Sequence, residues 1–461
     1  MKKRAAVKGR KQEGTPVAMS VAMQQLMLPL LLAMDATKKG LLAFVQQMGM
    51  VALSELLAKE AAMIAGPKGQ HIEGRTHHHW GTATTPVGFG GRHVSLTYPR
   101  VRARAKGRGG EVTLPSIEAL RDGDPMTDRV AEQIALGVST RGYAKSLEPV
   151  DSSIDTHGAS KSNTSRVLID ATTDKLAQFV SRKLDDVDLI AMFIDGIEFA
   201  GHAVLIALGV TIDGTKTPLG IWAGSTENTT VVTELLSNLV GRGLRVDHSM
   251  LFVIDGGKAI RKALRDVFGD RAVVQRCQVH KARNVRDHLP EARRAYVARQ
   301  LRDAYDSATA ATAKKKLQQL ASWLDSNGHS DAAASLREGL DETLTVMRLG
   351  LTGTLRRTFA TTNPIENMNG SLRRVARNVK RWKDEAMIRR WVALGIAEAQ
   401  KGFRRVKGYV HMPSLVAALR PAAATVASEK KVAEESPRAA ATTRTATGNG
   451  AIPPWALTVG R

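Results

Sequence analysis

The 461-residue chain reads as an α/β protein, a mixed sheet with helices packed on it, preceded by a mainly helical region and interrupted by an all-helical block. Three observations predict this. Two short runs, "LIAMFID" and "SMLFVID", have the continuous hydrophobicity of strands buried on both faces. Between them lie two longer strand-like runs that meet at Asp213-Gly214-Thr215, a hairpin turn, followed by an amphipathic helix. Beyond them, residues 279–355 carry helical periodicity almost throughout.

Taken in order, residues 1–17 are a basic, disordered start. Residues 18–65 hold two apolar helical blocks, the first broken by Pro29, which can neither donate a backbone hydrogen bond nor clear the preceding turn. Residues 66–185 open Gly-rich, with His77, His78 and His79 in a solvated loop. The extended run "HVSLTYPRVRARAKGRGGEVTL" then places Arg100, Arg102 and Arg104 at period two, on one face of a strand. Such a ladder suits a phosphate backbone, and it equally suits a sheet edge protected by charge. The stretch 126–149 reads as a helix, a tight turn at Gly137-Val138-Ser139 with Ser139 as cap, and a second helix through Leu147. That is the outline of a helix-turn-helix unit, and of any helical hairpin. A third helix covers about 163–183.

Residues 186–278 form the first part of the sheet, in the order strand, strand, strand, helix, strand, helix, strand. The helical block 279–355 follows. Residues 356–410 contain "TTNPIENMNGSLRRVARNVKRW" and a long closing helix. Residues 411–461 begin a tail rich in Ala, Thr, Ser and Pro that reads as disordered.

Composition narrows the function. Lys and Arg number 67 against 44 Asp and Glu, a formal charge of +23, which calls for a polyanionic partner, nucleic acid first. The single cysteine, Cys277, excludes an internal disulfide and fits a reducing compartment. No apolar run reaches the roughly 20 residues needed to span a bilayer, and no clean signal segment follows the basic start. The expectation is a soluble intracellular protein without a membrane partner.

The chemistry concentrates in three acids. "MFIDG" and "FVIDG" each run a buried strand into an aspartate, Asp195 and Asp255, and then into glycine. As neighbouring strands they would deliver two carboxylates to one sheet edge, a hard-oxygen site suited to Mg²⁺. Glu366 follows the helical block. A capping box of Asn363, Pro364 and Glu366 would explain it structurally. The cations behind it, Arg373, Arg374, Arg377 and Arg381, favour instead a third metal ligand, with the arginines holding the phosphodiester it acts on.

At these residues the chain resembles a known family. "FIDGI", "GSTEN", "VIDGGKAIRKAL", "QRCQVHKARNV" and "TTNPIENMNGSLRR", in this order, look like the Mutator-type DDE transposases of bacterial insertion sequences, from about residue 85 to about 410. The resemblance implies an RNase H-like catalytic core whose helical insertion separates Asp255 from Glu366. It implies two divalent ions, Mg²⁺ or Mn²⁺, held by Asp195, Asp255 and Glu366 for DNA strand cleavage and strand transfer into target DNA. It also implies an amino-terminal region that binds terminal inverted repeats, expected to work as a fragment ending near residue 160. A homo-oligomer in the synaptic complex and a cytoplasmic, nucleoid-associated place in a bacterium belong to the same expectation. Two other readings use the same residues: a catalytically silent DNA-binding protein of transposase origin, and an RNase H-like nuclease that does not join strands.

Cys277 and His280 match the family's Cys-x-x-His signature, whose physical role the sequence leaves open. Too few further ligands surround them for a tetrahedral zinc site, so His280 packs or bonds near the active site, or touches DNA. Trp222, Trp382 and Trp391 read as core, with Trp382 beside Arg381 also able to stack on a base.

Overall fold

The structure, a computed structural model, describes residues 38–103, 110–121, 125–152, 154–199, 201–224 and 228–420. The basic start, the first apolar block with Pro29, Arg104 and the chain from Pro421 lie outside the described residues.

Helix α1 (Lys38–Ala65) sets Leu57, Ala61 and Ala65 on one stripe at spacings of four. That stripe packs on an antiparallel sheet of β1 (His77–Phe89), β2 (Arg92–Ala103) and β3 (Glu111–Val112). The expected histidine loop is therefore strand β1. Gly90 and Gly91, at φ 57° and 84°, form the two-residue turn that joins it to β2, a conformation glycine adopts without a Cβ penalty. Helix α2 (Pro115–Arg121) then leads to α3 (Pro125–Ala135).

The second helix of the expected helix-turn-helix unit is a single turn, α4 (Tyr143–Ser146). Ser139 does not cap it. Its Oγ accepts the Gly142 N–H at 3.0 Å inside the turn, and no side chain caps α4. A single turn of four residues is shorter than the second helix expected through Leu147, whether of a helix-turn-helix unit or of a helical hairpin. Strand β4 (Thr156–His157) returns to β2, and α5 (Lys161–Ser181) begins at Ser160, whose Oγ accepts from the Asn163 N–H.

The second sheet consists of β5 (Leu189–Phe199), β6 (His202–Thr211), β7 (Lys216–Gly224), β8 (Met250–Ile254) and β9 (Ala272–Arg276). Its order is β7-β6-β5-β8-β9. The hairpin strands β5, β6 and β7 are antiparallel, while β8 and β9 run parallel to β5. Alternation along β5 divides the core: Met192 and Ile194 face α6 (Thr229–Gly241) and α7 (Lys258–Phe268), while Phe193 and Ile197 face the helical block.

That block comprises α8 (Gln278–Asp287), α9 (Glu291–Tyr305), α10 (Ala310–Ser326), α11 (Ser330–Arg337) and α12 (Thr345–Arg348). Helix α13 (Gly353–Phe359) leads into α14 (Asn363–Ala376), which carries Glu366, and α15 (Glu385–Lys401) follows, capped by Asp384. The chain stays folded past residue 410. Helix α16 (Met412–Leu419) buries Met412 and Leu415, and Arg420 Nη1 donates to Asp188 Oδ1 at 2.7 Å.

The amino-terminal helices do not close a core alone. Met126, Val130, Tyr143 and Leu168 share one cluster with Val375 of α14 and Leu394 of α15. A fragment ending near residue 160 would lose α5 and expose that cluster.

Candidate active site

Parallel pairing of β5 with β8 sets Phe193 opposite Val253, and the same offset continued along both strands brings Asp195 level with Asp255. Asp255 lies just beyond the end of β8. Asp195 does not end its strand, because pairing with β6 carries β5 on to Phe199 opposite His202. The two carboxylates thus emerge where β8 has stopped and β5 continues. Gly256 turns the chain at φ 110°, and the Gly257 N–H at the start of α7 donates to Asp255 Oδ1 at 2.9 Å.

Helix α14 lies over this edge with Ile365, Met368, Asn369 and Leu372 buried. Asn369 Nδ2 donates to Asp195 Oδ2 at 2.7 Å, and Asn369 Oδ1 is buried with no partner. Burial raises the pKa of Asp195 to about 6. The charges of Asp255 and Glu366 push the same way, while His280 and the Asn369 bond oppose them. Asp195 therefore feels the charge of both other acids.

Glu366 is not part of the expected capping box. Thr362, not Asn363, precedes the helix, and its hydroxyl donates to Glu366 Oε1 at 2.6 Å. His280 Nε2 lies 3.8 Å from the same oxygen. With Glu366 held there, the described residues contain no three His, Cys, Asp or Glu side chains close enough to share a metal ion. The donor chemistry of two carboxylates at one sheet edge nevertheless suits a hard divalent cation.

Cys277 ties these parts together. Its N–H donates to the Ile254 carbonyl at 2.7 Å, next to Asp255, and its Sγ accepts the Thr362 N–H at 3.4 Å and the His280 N–H at 3.5 Å. Burial pushes the thiol pKa up, but the bonds from His280 and Thr362 outweigh it and the net shift is downward. His280 is raised, first by its bond to Cys277 and then by the nearby charges of Cys277, Glu366 and Asp255. The signature is thus a clamp between the Asp255 strand and the Glu366 helix.

The cations divide. Arg100 forms a two-pronged ion pair with Glu111, its Nε at 2.7 Å, and Arg102 stacks over Trp80 at 4.6 Å. Both are engaged within the first sheet. Arg373, Arg374, Arg377 and Arg381 are exposed, and among the described residues none has a carboxylate within 4.0 Å. Arg377 also packs against Gly137. Trp382 is committed to the core, 5.3 Å from Phe199 and 6.4 Å from Trp391 between ring centres.

Sequence reasoning missed Asn369 and Thr362. Asn369 had a signal, as the polar member of an otherwise apolar stripe with Ile365, Met368 and Leu372. Thr362 had none, because its partners Cys277 and His280 are remote in sequence.

The comparisons agree with one another. The family described as Transposase, Mutator family, matches residues 43–406. The transposase for insertion sequence element ISRM5 of Rhizobium meliloti is 28% identical over 296 residues, covering 62% of this chain and 71% of that protein. The transposase for IS1201 of Lactobacillus helveticus is 26% identical over 335 residues, covering 70% and 85% respectively. The transposase for IS905 of Lactococcus lactis is 25% identical over 307 residues, covering 65% and 74%.

Proposed function

Since the chain belongs to the Mutator family of transposases, we propose that it binds the terminal inverted repeats of an insertion sequence, cleaves DNA there and transfers the freed strand into target DNA. In this reading the sheet of order β7-β6-β5-β8-β9 is an RNase H-like core, and α8 to α12 are an insertion within it. Asp195, Asp255 and Glu366 would hold Mg²⁺ or Mn²⁺. Two such ions, when bound, supply the Lewis acidity that activates the attacking oxygen and stabilises the leaving one.

The single observation that carries the reading is the level placement of Asp195 and Asp255 at one sheet edge, beneath the helix that carries Glu366 and whose Asn369 bonds Asp195. The chain's own residues supply position and charge. Asn369 fixes one oxygen of Asp195 and leaves the other free. Arg373 and Arg377 follow Glu366 at seven and eleven residues, on one flank of the same helix, where they can hold a phosphodiester beside it. Two element ends must be brought together, so the working form is a homo-oligomer on DNA, at the bacterial nucleoid.

The test is strand transfer of a pre-cleaved element end into plasmid with Mg²⁺ or Mn²⁺, comparing wild type with Glu366→Gln. Loss of joining by more than about 10³-fold with end binding retained supports the reading, a size typical of removing one part of a catalytic unit. Undiminished joining by Glu366→Gln overturns the assignment of Glu366. Cleavage with no joined product in the wild type points to a nuclease.

A further inference from the structure

A cleft of about 1270 Å³ opens on the side of α14 away from the carboxylates. Asn363, Asn367, Ser371 and Arg374 line it, and their spacing of four, four and three residues puts them on one flank of the helix. Glu366, Arg373 and Arg377 occupy the other flank. The far wall is the segment after α15, residues 402–407, and α13 closes the end.

Its charge is one-sided. Seven cations line it against one acid, Glu398, and Lys401 already satisfies that acid at 3.0 Å. Arg405 is paired with Asp213 at 3.2 Å, and Lys216 lies over the Phe403 ring at 4.6 Å. Arg357, Arg374, Arg404 and Lys407 are exposed, and none has a carboxylate within 4.0 Å among the described residues. Four unneutralised cations on three separate segments repel one another unless an extended polyanion lies between them. The volume far exceeds a single phosphate. Asparagine and serine side chains along α14 add the neutral donors that commonly accompany Arg and Lys on phosphate backbones.

We propose that this cleft binds the phosphodiester backbone of a second DNA segment, separate from the strand whose phosphodiester meets Asp195, Asp255 and Glu366. Helix α14 then partitions two DNA paths. The inference rests on the transposase reading for the choice of DNA among polyanions. A reaction that joins one DNA to another must hold both at once, and the second segment is either target DNA or a further stretch of the element end.

The experiment uses the full chain and the triple variant Arg357→Gln, Arg404→Gln, Lys407→Gln. First, binding of a fluorescent duplex of arbitrary sequence is followed against salt concentration, a readout that needs no catalysis. The variant should bind at least 10-fold more weakly near 0.1 M salt, with a salt slope reduced by about 3, since each lost phosphate contact removes about 0.9. Second, strand transfer is titrated with plasmid and end binding is measured on terminal-repeat DNA. A raised plasmid requirement with normal end binding assigns the cleft to target DNA; weakened end binding with a normal plasmid requirement assigns it to the element end. Unchanged affinity and slope overturn the proposal, even if Glu366→Gln behaves as expected. Should the variant misfold, DNA protection of Lys407 from acetylation in the wild type, read by mass spectrometry, decides the question. Unprotected Lys407 at saturating DNA overturns the proposal.

Discussion

Asn369 and Asp195, 174 residues apart in sequence, are joined by a 2.7 Å hydrogen bond at the point where helix α14 meets the sheet. The bond makes Asn369 the part of the helix that positions a carboxylate, as Glu366 is the part that contributes one. Asn369→Ala should destabilise the protein by about 1–3 kcal/mol, the cost of stranding a buried polar partner, and reduce joining while leaving end binding intact. Asn369→Asp should be worse, because it adds a fourth negative charge. Thermal unfolding and strand transfer on both variants check this.

The Cys277 clamp predicts an order of tolerance. Cys277→Ser keeps an acceptor for the Thr362 and His280 N–H groups, whereas Cys277→Ala strands both. Alanine should cost about 1–3 kcal/mol more than serine in urea unfolding. Equal stability of the two variants would remove the clamp from the account.

Asp195 predicts a pH dependence for the metal-free protein. An acid whose folded pKa is raised stabilises the fold fully below its unfolded pKa, near 3.8, and loses that contribution as pH climbs through about 6. The loss amounts to about 3 kcal/mol. Unfolding in chelator should therefore become easier from pH 4 to pH 7 by an amount that Asp195→Asn abolishes. Added Mg²⁺ should restore stability at pH 7, where the ionised carboxylates can bind it.

Gly370 sits inside α14 between Glu366 and Arg373, and a Cβ there would meet nothing within 4 Å. Helix propensity alone makes Gly370→Ala stabilising by up to about 1 kcal/mol. Since the added methyl would face the proposed phosphodiester path, joining should fall as the melting temperature rises. A variant that is both more stable and fully active would place the reacting strand elsewhere.

Much of the second sheet was legible because its signals are local. The run Leu189 to Ile194 is continuously apolar, and Gly214 at φ 85° makes the turn that Asp213-Gly214-Thr215 announces. The two aspartates were legible because each closes an apolar run. What was not legible depends on distant partners. Strand β1, with its histidines and threonines, is a strand because β2 pairs along its length. Helix α14 starts at Thr362 because that hydroxyl and N–H are engaged by Glu366 and by Cys277, 85 residues earlier. Arg100 looked available for DNA until Glu111 arrived beside it across the β2–β3 pairing.

The shared cluster of Met126, Val130, Tyr143 and Leu168 with Val375 and Leu394 bears on inheritance as much as on folding. Asn378 Nδ2 donates to the Gly137 carbonyl at the same seam. A recombinant that took its first 160 residues from a relative only about a quarter identical would meet foreign side chains along that seam. If the amino-terminal region binds element ends, as proposed above, exchange of whole amino-terminal halves would demand matching changes in α14 and α15 along this seam. In that reading, end recognition and chemistry would descend together.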